Sequence, residues 1–184
     1  MARTESAMLA LGTQAPDFSL PDVVSGGMVD LQSAAGPKGL LVMFICRHCP
    51  FVKHVEKELA KLGRDYEGKG IGIIAISSND AVNYPDDALA SLAGQARALR
   101  FPFHYLYDET QDVAHAYDAA CTPDFFLFDG NLKLAYRGQL DDSRPGSNVP
   151  VTGKDLRNAM NAVLAGEPVH PLQKPSLGCN IKWK

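Results

Sequence analysis

The segment Leu40-Leu41-Val42-Met43-Phe44-Ile45-Cys46-Arg47-His48-Cys49 joins a short apolar run directly to two cysteines at C-x-x-C spacing. An apolar run of this length is too short for a buried helix and is typical of a strand covered on both faces. After the cysteines, apolar residues recur at helical spacing from Phe51 to Tyr66, with lysines and glutamates between them. This pattern predicts an amphipathic helix. The cysteines therefore lie at a strand-to-helix junction.

The regions on either side extend this unit into a larger sheet. A second apolar run, Ile71 to Ile76, follows the helix and predicts a β-α-β unit with two parallel strands. Upstream, short apolar segments around a glycine pair in residues 17–31 predict an N-terminal hairpin. Downstream, Pro85 opens a predicted helix and a strand-like segment follows at 101–107. Residues 80–107 are therefore interpreted as an inserted helix-strand unit.

The C-terminal half of the chain continues with a helix, a hairpin and a last helix. Asp108 begins a short predicted helix that leads to Cys121-Thr122-Pro123. Residues 125–136, with a turn sequence in the middle, predict an antiparallel hairpin. Thr152 caps a final predicted helix. Together with the first half, this order indicates a central mixed sheet flanked by helices.

Composition indicates a single globular domain over residues 1–184. The chain is 46% hydrophobic and 21% charged, close to ordinary globular usage. The predicted fold class is α/β with three layers, carrying the N-terminal hairpin, the inserted unit and a C-terminal tail. Residues 167–184 are expected to dock on the domain, because Trp183, the only tryptophan, would otherwise leave a large ring in water.

Charge and hydropathy exclude several classes of partner. The net charge is −3 and the basic residues are scattered, so neither nucleic acid nor an anionic membrane surface is an expected partner. No stretch approaches the ~20 apolar residues that cross a bilayer, and the apolar run at residues 8–11 is shorter than a signal-peptide core. We therefore expect a cytoplasmic protein. Structural disulfides are rare in that compartment, so the cysteines indicate redox or metal chemistry.

The position of the two cysteines predicts reversible disulfide chemistry. We expect Cys46 at the helix N-terminus and Cys49 one turn further on, where residues lie ~5–6 Å apart at Cβ and a disulfide closes with little adjustment. The helix dipole would acidify Cys46, making it the nucleophile, while Cys49 would resolve the mixed disulfide. Arg47 and His48 are candidates for lowering the pKa of Cys46. The alternatives are a solvated Arg47 and a His48 that only caps backbone.

These features together resemble the thioredoxin superfamily over roughly the whole chain. The resemblance rests on the strand, C-x-x-C and helix, the second parallel strand, and Thr122-Pro123 before a hairpin. It implies that Pro123 is cis and faces the cysteines, and that Thr122 offers backbone hydrogen bonds to substrate. The opening at residues 15–20 and the insertion resemble the redoxin (AhpC/TSA-like) branch, which joins peroxiredoxins with thioredoxin-like reductases. The ending at residues 178–184 resembles a bacterial group of that branch.

The resulting functional hypothesis is a thiol-disulfide oxidoreductase without a cofactor. Its expected partners are protein or small-molecule disulfides and a thiol electron donor, and its oligomeric state is left open. Because a stabilised thiolate makes a disulfide more oxidising, Arg47 and His48 predict a potential less reducing than that of thioredoxin. The apolar strand at residues 40–45 lacks the aspartate that relays protons in thioredoxin, so another group or water must do so.

Two alternatives remain open. In a thiol-dependent peroxidase, Cys49 would react with peroxide, but Val42 and Cys46 stand where the peroxiredoxin motif has proline and threonine. In a zinc-binding module the two remaining cysteines, Cys121 and Cys179, would complete four thiolates, although a second close-spaced ligand pair is missing. Within the redox hypothesis, Cys121 and Cys179 are candidate accessory thiols, and simple packing of either cysteine is the competing interpretation.

Overall fold

The computed structural model describes residues 3–184, so the first two residues of the predicted domain lie outside the described part. Ten strands alternate with five helices within that range. The strands are β1 (Arg3–Glu5), β2 (Ser19–Pro21), β3 (Met28–Asp30), β4 (Gly39–Phe44), β5 (Ile71–Ser77), β6 (His104–Tyr107), β7 (Cys121–Thr122), β8 (Asp124–Asp129), β9 (Leu134–Gly138) and β10 (Leu177–Asn180). The helices are α1 (Leu31–Ala34), α2 (Pro50–Tyr66), α3 (Leu89–Leu99), α4 (Asp112–Ala116) and α5 (Lys154–Leu164).

The central sheet has the strand order β6-β5-β4-β8-β9. β4 runs parallel to β5, and β5 runs parallel to β6, whereas β8 and β9 pair in antiparallel register. The sheet is therefore mixed, as predicted. β4 occupies its centre, and every residue of this strand is buried, because it is covered by other elements on both faces.

Alternating residues of β4 face two different hydrophobic layers. Leu41 and Met43 pack with the apolar stripes of α2, α3 and α5. Leu40 and Phe44 pack with α4 and with the β2–β3 hairpin. This alternation follows from the two-residue period of a strand. The predicted three-layer α/β fold is confirmed, including its N-terminal hairpin.

The inserted unit begins differently from the prediction. Pro85–Asp87 form a short 3₁₀ turn rather than the first turn of a helix, and α3 begins only at Leu89. The two pieces are separated because Ala88 is extended (φ −67°, ψ 154°). The unit then continues into β6, which extends the sheet. The break at Ala88 turns the acidic side chains of the 3₁₀ turn toward the C-x-x-C loop.

One other predicted helix begins a few residues later than expected. α4 starts at Asp112 rather than at Asp108, because Gln111 adopts a left-handed conformation (φ 69°). The buried carboxylate of Asp108 still accepts a hydrogen bond from the N–H of Ala114 at 2.9 Å. It therefore pairs with one of the free backbone N–H groups in the first turn of α4, although it lies outside the helix.

The end of the chain forms a strand on a small second sheet. β10 lies between β1 and β7 in a three-stranded sheet. Beyond it, the ring of Trp183 stacks on His115 with ring centroids 4.2 Å apart, and the tryptophan is 40% exposed. The residues from 176 to 184 are thus held against the domain by backbone pairing and by ring stacking.

Candidate active site

The two cysteines lie on the loop between β4 and α2. α2 begins at Pro50, in the first turn as expected, and Cys49 is its N-cap residue. The backbone of Cys49 is extended (φ −69°, ψ 126°), since a residue before proline disfavours the helical conformation. The prediction that Cys46 occupies the helix N-terminus is therefore wrong. That position belongs to Cys49, and Cys46 lies in the preceding loop.

Both sulfurs contact Thr122, which precedes a cis peptide bond to Pro123. Sγ of Cys46 lies 3.3 Å from Oγ1 of Thr122, and Sγ of Cys49 lies 3.3 Å from the carbonyl oxygen of Thr122. β8 pairs with β4 as far as the last residue of β4. Because Thr122-Pro123 directly precedes β8, this pairing brings that segment against the cysteines. Cys46 and Cys49 are both 0% exposed. The structure thus assembles a closed site from two segments far apart in sequence.

Cys49 carries the acidic thiol of the pair. Its pKa is lowered to about 5, mainly by a hydrogen bond from the Cys46 thiol; further hydrogen bonds from Cys179 and from the Val52 N–H help to outweigh the effect of burial. The pKa of Cys46 is raised well above its ordinary value, because this thiol bonds to Cys49, is buried and lies near the Asp87 carboxylate. These directions favour Cys49 as the site of the negative charge in the reduced pair, and the predicted acidification of Cys46 stays a prediction.

Arg47 and His48 pair with carboxylates. Nη1 of Arg47 lies 3.8 Å from Oδ1 of Asp86, with side chains 45% and 73% exposed respectively. Nδ1 of His48 hydrogen-bonds to Oδ2 of Asp87, while its Nε2 is buried and has no partner within residues 3–184. The effect of Arg47 and His48 on Cys46 stays a prediction.

The acid at the centre of this network is Asp87, which the sequence analysis does not single out. Its fully buried carboxylate accepts the backbone N–H of Arg47 at 2.8 Å and of His48 at 3.3 Å, and Nδ2 of Asn79 at 2.8 Å. The inserted unit thereby holds the C-x-x-C loop through one side chain. The available sequence signal is the acid pair after Pro85, which is equally typical of an ordinary first helical turn.

The two remaining cysteines differ in their contacts. Sγ of Cys121 donates to the carbonyl oxygen of Pro123 at 3.7 Å, and burial raises its pKa far above the ordinary value. Sγ of Cys179 lies only 2.7 Å from Sγ of Cys49. The pKa of Cys179 is raised to about 12 by burial and by its hydrogen bond to Cys49. Cys179 therefore contacts the C-x-x-C pair through Cys49, and an accessory role for Cys121 stays a prediction.

The strand that carries Cys179 lies directly on the cis-proline loop. β10 pairs in antiparallel register with β7, and Cys179 is opposite Thr122. A side chain at Gly178 would place its Cβ 2.0 Å from the carbonyl oxygen of Thr122, so this close approach requires glycine. The backbone edge at which the sequence predicts substrate binding is therefore covered by the tail of the chain itself.

The four cysteines do not assemble into a thiolate site for zinc. Within residues 3–184, the only group of three candidate ligand atoms within 4.8 Å of one another comes from Cys46, His48 and Asp87. A structural zinc ion takes four such ligands in a tetrahedron. The zinc-binding alternative therefore lacks the ligand set that the sequence analysis assigns to it.

The sequence matches one family over the part that forms this site. A model of the AhpC/TSA family matches residues 11–137, which include the C-x-x-C loop, the inserted unit and the Thr122–Pro123 bond. The chain belongs to the AhpC/TSA family. This confirms the resemblance to the redoxin branch, and membership in the AhpC/TSA family supports an oxidoreductase activity in general terms. A comparison with curated proteins gives no match.

Solved structures similar to this AhpC/TSA-family chain share its fold. An uncharacterized conserved protein from Geobacillus kaustophilus is 55% identical, with a TM-score of 0.98, covering 100% of this chain and 97% of that one. A hypothetical protein from Sinorhizobium meliloti is 48% identical, with a TM-score of 0.96 and 98% of each chain covered. A thiol:disulfide interchange protein from Chlorobium tepidum is 16% identical, with a TM-score of 0.65 over 84% of this chain and 98% of that one, and shares the fold.

Across residues 3–184, no helix combines the length and the apolar character needed to cross a bilayer.

The unequal acidity of the two thiols predicts a specific titration. As pH rises, thiolate absorbance in the ultraviolet should appear with a midpoint at the pKa of Cys49, about 5. Because the largest stabilising contact comes from the Cys46 thiol, Cys46→Ala should raise this midpoint by about one unit. Cys121→Ala serves as the control and should leave the midpoint unchanged. A wild-type midpoint near the ordinary thiol value of ~8.5 would contradict the assignment.

Proposed function

We propose that this protein is a thiol-disulfide oxidoreductase that cycles Cys46 and Cys49 between the dithiol and the disulfide. The observation that carries the proposal is the contact of both sulfurs with Thr122, beside the cis bond to Pro123, at 3.3 Å each. A thiol pair in which one sulfur ionises near pH 5 holds a thiolate at neutral pH, which is the reactive form in disulfide exchange.

Cys46 is the attacking sulfur in this proposal. Sγ of Cys49 is enclosed by the Thr122 carbonyl oxygen and by Cys179, at 3.3 Å and 2.7 Å. Within residues 3–184, Sγ of Cys46 has only the Thr122 hydroxyl as a hydrogen-bonding neighbour outside the pair. As Cys46 attacks a substrate disulfide, its proton passes to the Cys49 thiolate to which it is hydrogen-bonded. The first substrate sulfur leaves as a thiolate and takes up a proton from water.

Cys49 then resolves the mixed disulfide. In the mixed disulfide Cys46 no longer has a proton to donate, so Cys49 loses its proton to water with the remaining support of Cys179 and the Val52 N–H, and its thiolate attacks Sγ of Cys46. The bond between Cys46 and Cys49 forms, and the second substrate sulfur leaves as a thiolate. Two protein thiols are oxidised and one substrate disulfide is reduced. A thiol donor reverses these steps to restore the dithiol.

His48 and Asp87 support the proton movements at Cys46. β4 contains no acid, so the protein needs another group beside the reacting sulfurs. Sγ of Cys46 and one ligand atom each from His48 and Asp87 lie within 4.8 Å of one another. We assign His48 as the proton carrier, since its Nε2 is buried without a partner in residues 3–184. Asp87 is a positioning residue that fixes the ring through Nδ1.

The proposed partners are a protein or small-molecule disulfide and a thiol electron donor, in the cytoplasm. A stabilised Cys49 thiolate favours the reduced pair, so the disulfide should be a stronger oxidant than that of thioredoxin, whose potential is ~−270 mV. The scattered basic residues give no surface for nucleic acid, and this exclusion also stays a prediction.

A thiol-dependent peroxidase is the second candidate function. The AhpC/TSA match and the ionised Cys49 favour it, because a peroxide-reacting cysteine must be a thiolate. Cys46, at the position where the peroxiredoxin motif has threonine, supplies a hydrogen bond to Cys49. The proline of that motif is replaced by Val42. The two functions assign the first reaction to different sulfurs, so cysteine variants separate them.

Trapping with oxidised glutathione tests which sulfur attacks. In Cys49→Ser, the mixed disulfide at Cys46 cannot be resolved by the neighbouring thiol, so intact-protein mass spectrometry should find glutathione bound to Cys46. Wild-type protein should release it and form the Cys46–Cys49 disulfide. Cys46→Ser is the matched control and should accumulate no adduct at position 46. Failure of Cys49→Ser to hold glutathione on Cys46 would refute the assigned order of attack.

Replacing Asp87 tests the proton-handling network. Asp87→Asn removes the charge and the acceptor that hold His48, so the rate of disulfide reduction should fall by about tenfold to a hundredfold. The pH profile should also shift, because the Asp87 carboxylate raises the pKa of Cys46. Asp86→Asn, on the neighbouring exposed carboxylate, is the control and should change the rate by less than about twofold. Equal effects of the two variants would remove Asp87 from the proposed network.

Peroxide consumption tests the second candidate function. With a thiol reductant present, the oxidoreductase assignment predicts slow turnover of hydroperoxide by wild type. If Cys49→Ser abolishes rapid peroxide turnover while Cys46→Ser retains it, the peroxidase is the correct function. The same assay on Cys121→Ser controls for general sulfur oxidation.

A further inference from the structure

We propose that Cys179 is a third redox-active residue. It replaces Cys46 as the disulfide partner of Cys49 in a reversible exchange. The inference rests on the proposed function, which supplies the Cys46–Cys49 disulfide. It adds a step in which the oxidising equivalent moves to the C-terminal tail.

The geometry of the sulfurs carries this inference. Sγ of Cys179 and Sγ of Cys49 are 2.7 Å apart although the two residues are separated by 130 positions in the chain. A disulfide bond has a length of ~2.05 Å, so the two atoms need only a small movement to bond. Cys46, three residues before Cys49, contacts the same residue, Thr122, through its own sulfur at 3.3 Å. Cys49 therefore has two candidate disulfide partners, Cys46 and Cys179.

The tail is held in this position by several contacts around the site. β10 pairs with β7 on one side and with β1 on the other, where Cys179 is opposite Arg3. The hydroxyl of Ser176 donates to the carbonyl oxygen of Pro123 at 2.5 Å. Beyond β10, the N–H of Lys182 donates to Oδ1 of Asn79 at 2.9 Å. The chain is therefore anchored both before and after Cys179, and this holds the Cys179 sulfur against the Cys49 sulfur.

The Asn79 contact also connects the tail to the proton-handling network. Nδ2 of Asn79 donates to the Asp87 carboxylate at 2.8 Å, while its Oδ1 accepts the Lys182 N–H. One side chain therefore bonds both to the acid that positions His48 and to the segment that follows Cys179. A displacement of the tail would disturb both contacts of Asn79.

The proposed step needs no additional oxidant. The thiolate of Cys179 attacks Sγ of Cys49 in the Cys46–Cys49 disulfide. The Cys49–Cys179 bond forms, the Cys46–Cys49 bond breaks, and Cys46 leaves as a thiolate. Before the attack the Cys179 thiol loses its proton to water, and the departing Cys46 thiolate takes up one proton through His48, so the protons balance. The number of disulfides is unchanged, and the exchange is fully reversible.

The tail therefore behaves as an internal substrate strand. It covers the backbone edge of Thr122, beside the cis bond, and presents a cysteine to the active sulfurs. In the exchanged form, Cys46 is a free thiol while the oxidising equivalent is stored between Cys49 and Cys179. An external protein strand that pairs with Thr122 must displace β10, so the tail and such a substrate compete for one edge.

Disulfide mapping of the oxidised protein tests the exchange. Wild-type protein is oxidised with diamide, quenched with acid, alkylated, digested with trypsin and analysed by mass spectrometry. Because Arg47 lies between Cys46 and Cys49, the linked peptides show which sulfurs are joined. We expect both the Cys46–Cys49 and the Cys49–Cys179 bonds, in a ratio independent of protein concentration. Cys46→Ser should give the Cys49–Cys179 bond alone.

A glycine variant tests the role of the tail without changing any sulfur. Gly178→Ala places a methyl group against the Thr122 carbonyl oxygen, so it should lower the proportion of the Cys49–Cys179 bond in the wild-type background by about tenfold. Gly94→Ala is the matched control, since a Cβ at Gly94 meets no atom within 4 Å, and the proportion should stay unchanged. An unchanged proportion in Gly178→Ala would overturn the assigned role of β10.

The outcomes separate this inference from the proposed function. If wild type forms only the Cys46–Cys49 bond and Cys46→Ser remains fully reduced, the inference is overturned and the oxidoreductase proposal stands. If neither bond involving Cys49 forms in wild type, the proposed function itself is overturned. A Cys49–Cys179 bond without any Cys46–Cys49 bond in wild type would support Cys179 as a redox residue but would refute the C-x-x-C cycle and the exchange.

Discussion

The contact of the Cys49 sulfur with three separate parts of the chain holds the site together. Cys49 is the N-cap residue of α2, and its sulfur lies 2.7 Å from Sγ of Cys179 and 3.3 Å from the carbonyl oxygen of Thr122. A buried thiolate is costly unless several donors surround it. Here the donors come from the C-x-x-C loop, the helix and the tail strand. The ionised state of Cys49 therefore depends on the correct assembly of elements that are distant in sequence.

The charges around the pair explain why acidity is divided unequally. Asp87 is close to Cys46 and opposes its ionisation, whereas Cys49 has the helix N-terminus and no carboxylate among the main contributors to its pKa. Two adjacent thiols cannot both ionise easily, so the charge settles on the sulfur with more donors. The first proton to dissociate belongs to the coupled pair of thiols, and the remaining proton stays bound at Cys46.

Two additions to the central sheet enclose the reacting sulfurs. The inserted unit brings Asp87 under the C-x-x-C loop, and the tail brings Cys179 over the cis-proline loop. Asn79 joins the two additions through one amide. The sulfurs are consequently shielded from solvent, which strengthens every electrostatic effect on them. The same enclosure leaves both Cys46 and Cys49 fully buried.

Much of the fold can be predicted from sequence, because local patterns decide it. The apolar runs of β4 and β5, the helical period of α2 and the glycines between α2 and β5 specify a β-α-β unit. Cys46, Cys49 and Thr122-Pro123 mark the two segments that meet at the site. The sequence by itself determined this arrangement and the redox class. Only the tertiary structure decided that Cys49 caps the helix, that Asp87 supports the loop and that Cys179 touches Cys49. These features arise from a residue preceding proline and from side chains that approach through strand register and loop packing, which leave no periodic signal in the sequence.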